Sequence, residues 1–139
     1  MEQPMTRSDL SPIERLLSDF SFYADRGDGA ALAELFVPDG VLYVGGQKLE
    51  GREKIADDCN RRALQSDRKT RHIWSNLRVE RADPNTASTT AVQLTFEQRD
   101  TDTPTQLRIS DLFDELQKGV DGVWRFACRT INREMAFSI

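Results

Sequence analysis

From Thr70 onward the chain is a succession of long segments rich in Thr, Val, Ile and aromatic residues, broken only by short turns, and no other feature restricts its fold as much. The segments run roughly over 71–82, 86–99, 105–117 and 123–133. Asp83-Pro84-Asn85, a polar loop around Pro104, and Lys118-Gly119-Val120-Asp121-Gly122 separate them. Links this short join antiparallel neighbours, because a parallel pair needs a long crossover. Alternation at the strand period is clearest at Val92, Leu94 and Phe96, and at Leu107, Ile109, Asp111 and Phe113.

The first half has helical texture. Ser11-Pro12-Ile13-Glu14 combines a capping hydroxyl, a proline suited to the first helical position and a glutamate that completes a capping box. Residues 1–10 before it read as a loose arm. Ile13, Leu16, Leu17, Phe20 and Ala24 follow at helical spacing until Gly27-Asp28-Gly29. A short second helix carries Leu32, Leu35 and Phe36 and stops at Pro38-Asp39-Gly40. Val41-Leu42-Tyr43-Val44 is a short strand, Gly45-Gly46 a turn, and a third helix spans roughly 52–66. Its Asp57/Arg61 and Asp58/Arg62 pairs sit at i,i+4 and read as a solvated face. Helices first and a strand meander afterwards predict an α+β layout: three N-terminal helices packed on a curved, mostly antiparallel sheet, with a cleft between. The reading takes 1–139 as one domain, with 134–139 as a C-terminal tail.

Composition narrows the function classes. With 38% hydrophobic and 30% charged residues, the chain suits a water-soluble globular protein with a real core. A net charge of −4 makes a poor partner for phosphate backbones, and the arginines at 61, 62, 68 and 71 are interleaved with aspartates, so no nucleic-acid groove is expected. No apolar run approaches a membrane span, and Met1-Glu2-Gln3-Pro4 lacks the basic start and apolar stretch of a secretory signal, which argues for the cytoplasm. One histidine and two distant cysteines, Cys59 and Cys128, offer no metal spacing, and both thiols read as buried and reduced. Gly45-Gly46 is no phosphate loop, so neither metal nor cofactor is expected.

The side chains suggest a pocket. His72 is the residue best able to move a proton near neutral pH; the alternative is a lone histidine satisfied within the sheet. Trp74 shares its strand face and would form a flat apolar wall. Phe96, Ile109 and Phe113 read as pocket lining, which suggests a small, hydrophobic, ring-containing ligand. Asp111 falls in register with Ile109 and Phe113, and a carboxylate on an apolar face needs a partner. That makes it the partner of Arg129 on the neighbouring strand, or else a second acid/base group.

Several stretches resemble, in order and spacing, the nuclear-transport-factor-2-like superfamily and its SnoaL-like branch. They are Tyr23-Ala24-Asp25-Arg26-Gly27-Asp28, Leu35-Phe36-Val37-Pro38-Asp39-Gly40, Gly51-Arg52-Glu53-Lys54-Ile55, Arg71-His72-Ile73-Trp74-Ser75-Asn76 and Asp121-Gly122-Val123-Trp124-Arg125-Phe126. The resemblance implies a cone-shaped fold and a homo-dimer or homo-trimer. Scytalone dehydratase, bile-acid dehydratase and hexachlorocyclohexane dehydrochlorinase belong to this branch. An Asp–His dyad of that kind falls here on Asp25 and His72, and a pocket arginine on Arg129. Asp25 would orient the imidazole, His72 would abstract a proton from a C–H, and Arg129 would steady developing negative charge. Tyr23 and Tyr43 correspond to phenolic donors, or are amphipathic wall residues. The implied activity is a cofactor-free lyase or isomerase. The other reading is a non-catalytic ligand-binding or interaction module, such as the small subunit of a larger oxygenase. Asp25 has its own alternative, a helix-end carboxylate, although Asp28 serves that turn equally well. For Arg129 the alternative is a salt bridge on the outer sheet face.

Overall fold

Thr6 starts the first helix: its hydroxyl oxygen accepts the amide hydrogen of Asp9 at 3.3 Å. A computed structural model describes residues 5–65, 67–100 and 102–139. Helix α1 runs Arg7–Arg26, so it begins before the expected Ser11-Pro12 start and takes residues 7–10 from the expected arm. Residues 1–4 of that arm lie outside the described residues. Pro12 is tolerated inside α1 because its missing N–H removes only one early backbone bond. The helix buries Ile13, Leu16, Leu17 and Phe20.

Gly27 ends α1 in the left-handed region (φ 69°). A Cβ there would also collide with Cβ of Ala63, so the glycine permits the close approach of the third helix. Asp28 caps α2, Gly29–Glu34, accepting from the Ala31 amide at 3.1 Å. The turn therefore uses Asp28 and leaves Asp25 free for other bonds. Strand β1, Phe36–Val44, starts earlier than expected and includes Pro38-Asp39-Gly40, with a register break between Phe36 and Val41. The Gly45-Gly46 turn leads into β2, Gln47–Glu50, and α3 spans Arg52–Ala63.

The long strands are β3 Lys69–Ala82, β4 Thr86–Gln98, β5 Gln106–Lys118 and β6 Trp124–Ser138. The sheet order is β2-β1-β6-β5-β4-β3, antiparallel throughout except for the parallel β1–β6 pair. The expected tail at 134–138 belongs to β6, because Met135 and Phe137 pair with Ile109 and Leu107. Bulges in β6 near Ala127 and Glu134 curve the sheet.

The α+β expectation holds: three helices pack on a curved, unclosed, mostly antiparallel sheet. Its concave face has two zones. Toward one end Ala82, Ala87, Ala91, Leu112, Leu116, Trp124 and Phe126 meet the helices and form the core with Phe20, Leu32, Phe36 and Ile55. Toward the other end the same face carries Thr70, His72, Gln93, Thr95, Glu97, Arg108 and Ser110. Polar side chains cannot close onto helices as a dry core does, so a cavity remains there. The convex face carries Val92, Leu94, Phe96, Leu107 and Ile109, and on it Ile73, Phe113, Met135 and Phe137 stay 46–51% exposed. No helix among the described residues is long and apolar enough to cross a membrane.

Candidate active site

Asp25, in the last turn of α1, faces the start of β3. Strand β3 is a sheet edge, so part of its backbone lacks strand partners. The Asp25 carboxylate takes the His72 amide hydrogen on Oδ2 at 3.0 Å and the Thr70 hydroxyl on Oδ1 at 3.1 Å. Oδ1 also lies 2.5 Å from His72 Nδ1. The carboxylate is 5% exposed and the imidazole 15%. A carboxylate held by two other donors is a fixed acceptor, and it selects the Nδ1–H tautomer, leaving Nε2 as the basic nitrogen. Nε2 has no hydrogen-bond partner among the described residues.

The pair borders a cavity of about 590 Å³. Part of its lining is apolar: Phe20, Ala24 and Leu32 from the helices, and Leu42, Val44 and Ile131 from β1 and β6. The larger part is polar: Thr70, His72, Gln93, Thr95, Ser110 and the arginines Arg62, Arg68, Arg108 and Arg133, most of them on the sheet. This departs from the mostly apolar lining expected. The pair also borders a shallow groove formed with Ser18, Phe22 and Trp74. Trp74 belongs to that groove and not to the cavity, its indole N–H donating to Ser18 Oγ at 3.0 Å.

Several other expected pocket residues lie elsewhere. Phe96, Ile109 and Phe113 are on the convex face, behind the cavity wall. Asp111 is on that face too, opposite Val92 and Asn132, and does not meet Arg129. Tyr23 packs edge-on against Phe22, and Tyr43 is exposed on β1; neither lines the cavity. Arg129 points to the concave side but stays below the cavity, 1% exposed, its guanidinium 4.2 Å from the Phe20 ring centroid and 4.6 Å from that of Phe126. Its partner is Asp114, the residue directly opposite on β5, at 3.3 Å. Burial drives the Asp114 carboxyl up to about 6, with Glu115 adding to the rise and Arg129 opposing it. Burial likewise lowers Arg129, against the pull of Asp114.

Of the arginines that line the cavity, Arg62 and Arg68 read from the sequence as part of a solvated surface, and Arg108 and Arg133 carry no sequence expectation; Asp58, the partner of Arg62, is buried at the cavity and not on a solvated face. Arg62 pairs with Asp58 at 2.9 Å. Arg68 is bonded to Glu97, which Arg108 also approaches at 3.3 Å. Burial alone would raise Glu97, but Arg68, Arg108 and Arg99 outweigh it and hold the carboxyl low. The sequence signal for Arg108 is its place with Ser110 in the even-numbered set of the third strand segment, opposite in phase to the apolar Leu107, Ile109 and Phe113. Burial pushes both thiols up; Cys59 is buried at the cavity and Cys128, expected to be buried, is only half so.

A family model described as a SnoaL-like domain matches residues 6–130. The chain belongs to the SnoaL-like family. Among solved structures this SnoaL-like chain is similar to a provisionally named scytalone dehydratase from Novosphingobium aromaticivorans DSM 12444, at 24% identity over 95% of this chain and 88% of that one, TM-score 0.83. LinA, the hexachlorocyclohexane dehydrochlorinase, is similar at 21% identity, covering 95% and 90%, TM-score 0.84. A nuclear-transport-factor-2-like protein with a cystatin-like fold, also from Novosphingobium aromaticivorans, has 28% identity, covering 89% and 80%, TM-score 0.76. No curated protein matches the chain.

Proposed function

We propose that this SnoaL-like protein is a cofactor-free lyase or isomerase in which His72 is the general base and Asp25 holds its ring. The observation that carries this reading is the 2.5 Å contact between Asp25 Oδ1 and His72 Nδ1 at the wall of a cavity large enough for a small organic molecule. His72 Nε2 takes a proton from a C–H beside an activating group. The freed electron pair forms a double bond as a β leaving group departs with its own pair. In an isomerisation the proton returns at another carbon. Dehydratase and dehydrochlorinase relatives of the same fold support an elimination.

The chain has one histidine, so its ring nitrogens give an unambiguous ¹⁵N NMR signature. Expected is the Nδ1–H tautomer in the wild type and its loss in Asp25→Asn, with turnover of at least one member of a panel of β-hydroxy and β-halo carbonyl compounds. A tautomer indifferent to Asp25→Asn, with panel members bound but not converted, would instead support the non-catalytic ligand-binding reading.

The proposal extends to assembly. The convex face presents bulky apolar side chains from four adjacent strands, more than a monomer usually leaves bare. A second copy of the chain is the occupant that the family resemblance favours, in a dimer or trimer. Phe113 is 48% exposed, so Phe113→Glu should fold normally yet shift sedimentation velocity toward the monomer. A wild type that already sediments as a monomer at high concentration would rule this out.

A further inference from the structure

The polar cavity wall holds a charge imbalance that proton transfer does not use. Arg68, Arg108 and Arg133 all line the cavity on the concave side of the sheet. One carboxylate faces them, Glu97, and it is already shared by Arg68, by Arg108 at 3.3 Å and by Arg99 at 3.7 Å. Arg133 has no carboxylate partner among the described residues. The two carboxylates that line the cavity are occupied. Asp25 takes the three contacts described above, and Asp58 takes Arg61 and Arg62. Burial lowers the Arg108 guanidinium, Glu97 opposes that, and Arg133 and Arg68 add like-charge repulsion. On a chain of net charge −4, this is a local arrangement and not a consequence of the overall field.

A second observation is independent of the charges. Gln93, 2% exposed, lines the same cavity, and its Oε1 is buried with no hydrogen-bond partner. An orphaned buried acceptor calls for a donor from a ligand. Register fixes the layout. His72, Thr95 and Arg108 are opposite one another on β3, β4 and β5, and Gln93, Ser110 and Arg133 form the next row on β4, β5 and β6. Two strand spacings separate His72 from Arg108, about 10 Å at the backbone.

We infer that the substrate carries an oxyanionic group, a carboxylate or a phosphate, held by Arg108 and Arg133, with a hydroxyl or N–H donor inboard of it for Gln93. The reacting C–H would lie toward His72, and only this orientation rests on the general-base reading. The arginines are suited to the task because a guanidinium binds a planar or tetrahedral oxyanion through two hydrogen bonds at once.

Benzoate, its neutral analogue benzamide, and inorganic phosphate are the probes, followed by amide chemical shifts of the whole protein. Expected is saturable, salt-sensitive binding of at least one anion in the ~mM range, with benzamide at least about tenfold weaker. Arg133→Gln, an exposed position, should weaken the anion about tenfold without moving the thermal midpoint or the His72 ¹⁵N signature. Preference for benzoate over phosphate assigns the group as a carboxylate, and the reverse order as a phosphate. Benzamide binding as well as the preferred anion, no effect of Arg133→Gln, or no anion binding up to ~50 mM would each overturn the inference. Asp25→Asn separates the two proposals: if it leaves the tautomer unchanged while the anion still binds, only the general-base reading falls.

Discussion

Arg129→Met is expected to cost about 3–5 kcal/mol of folding stability, because it leaves the Asp114 carboxylate buried without its counter-charge. That is a fifth or more of the ~5–15 kcal/mol that holds a typical domain together. The double variant Arg129→Met with Asp114→Leu removes both charges and replaces them with apolar volume against Phe20 and Phe126, so it should recover most of the loss. Denaturant midpoints measure both. The pH dependence adds a check of sign. Asp114 is raised from an ordinary 3.8 to about 6, mainly by burial. The native state therefore holds its proton more tightly than the unfolded chain, and this contribution is fully present below about pH 4 and lost as pH rises to about 6. Without Arg129 the carboxyl rises further, so the deficit of Arg129→Met should be larger at pH 8 than at pH 4. A loss below about 1 kcal/mol, or one independent of pH, would mean that the pair bears no such strain.

The strand meander was legible because its period is short and its turns are marked. Which face would be inside was not. Val92, Leu94 and Phe96 alternate with Ala91, Gln93 and Thr95, and the usual inference turns the larger apolar set inward. The opposite holds: on the concave side the helices pack closely over Ala87 and Ala91, where alanine suffices, and beyond them Gln93 and Thr95 border the cavity. A correct period with the wrong phase therefore places Phe96, Ile109 and Phe113 in the pocket, whereas they lie on the convex face. The same phase error attached Asp111 to Arg129. Asp114 is three residues further along β5 and hence on the other face, and the cross-strand register places it opposite the arginine. The bulge near Ala127 also interrupts the simple alternation along β6. Asp25 and His72 are legible in the sequence through the single histidine and the family resemblance. The Thr70 hydroxyl and the His72 amide that hold the same carboxylate were out of reach, because the closure of α1 onto an edge strand is a long-range contact.

His72→Gln should reduce turnover by about a thousandfold or more, because it removes the only imidazole. Asp25→Asn is the sharper variant, with an expected loss of about ten-thousandfold. The amide keeps one oxygen as an acceptor for the His72 backbone N–H, so the edge of β3 stays attached to α1 and the fold survives. Toward Nδ1, however, it can offer an N–H, which makes Nδ1 the acceptor and moves the ring hydrogen to Nε2. The ring is then in place but carries a hydrogen where the substrate's proton must go. Orientation and basicity are thus separated from the structural task that the same carboxylate performs through the His72 amide; the Thr70 hydroxyl, which shares Oδ1 with the ring, would meet the new NH2 group and accept from it instead of donating. The measurement is the rate on a panel compound that the wild type converts, made alongside the thermal midpoint and benzoate binding. A normal midpoint and intact benzoate binding with lost turnover place the defect in proton abstraction. Turnover within about tenfold of wild type would show that Asp25 serves the strand edge alone.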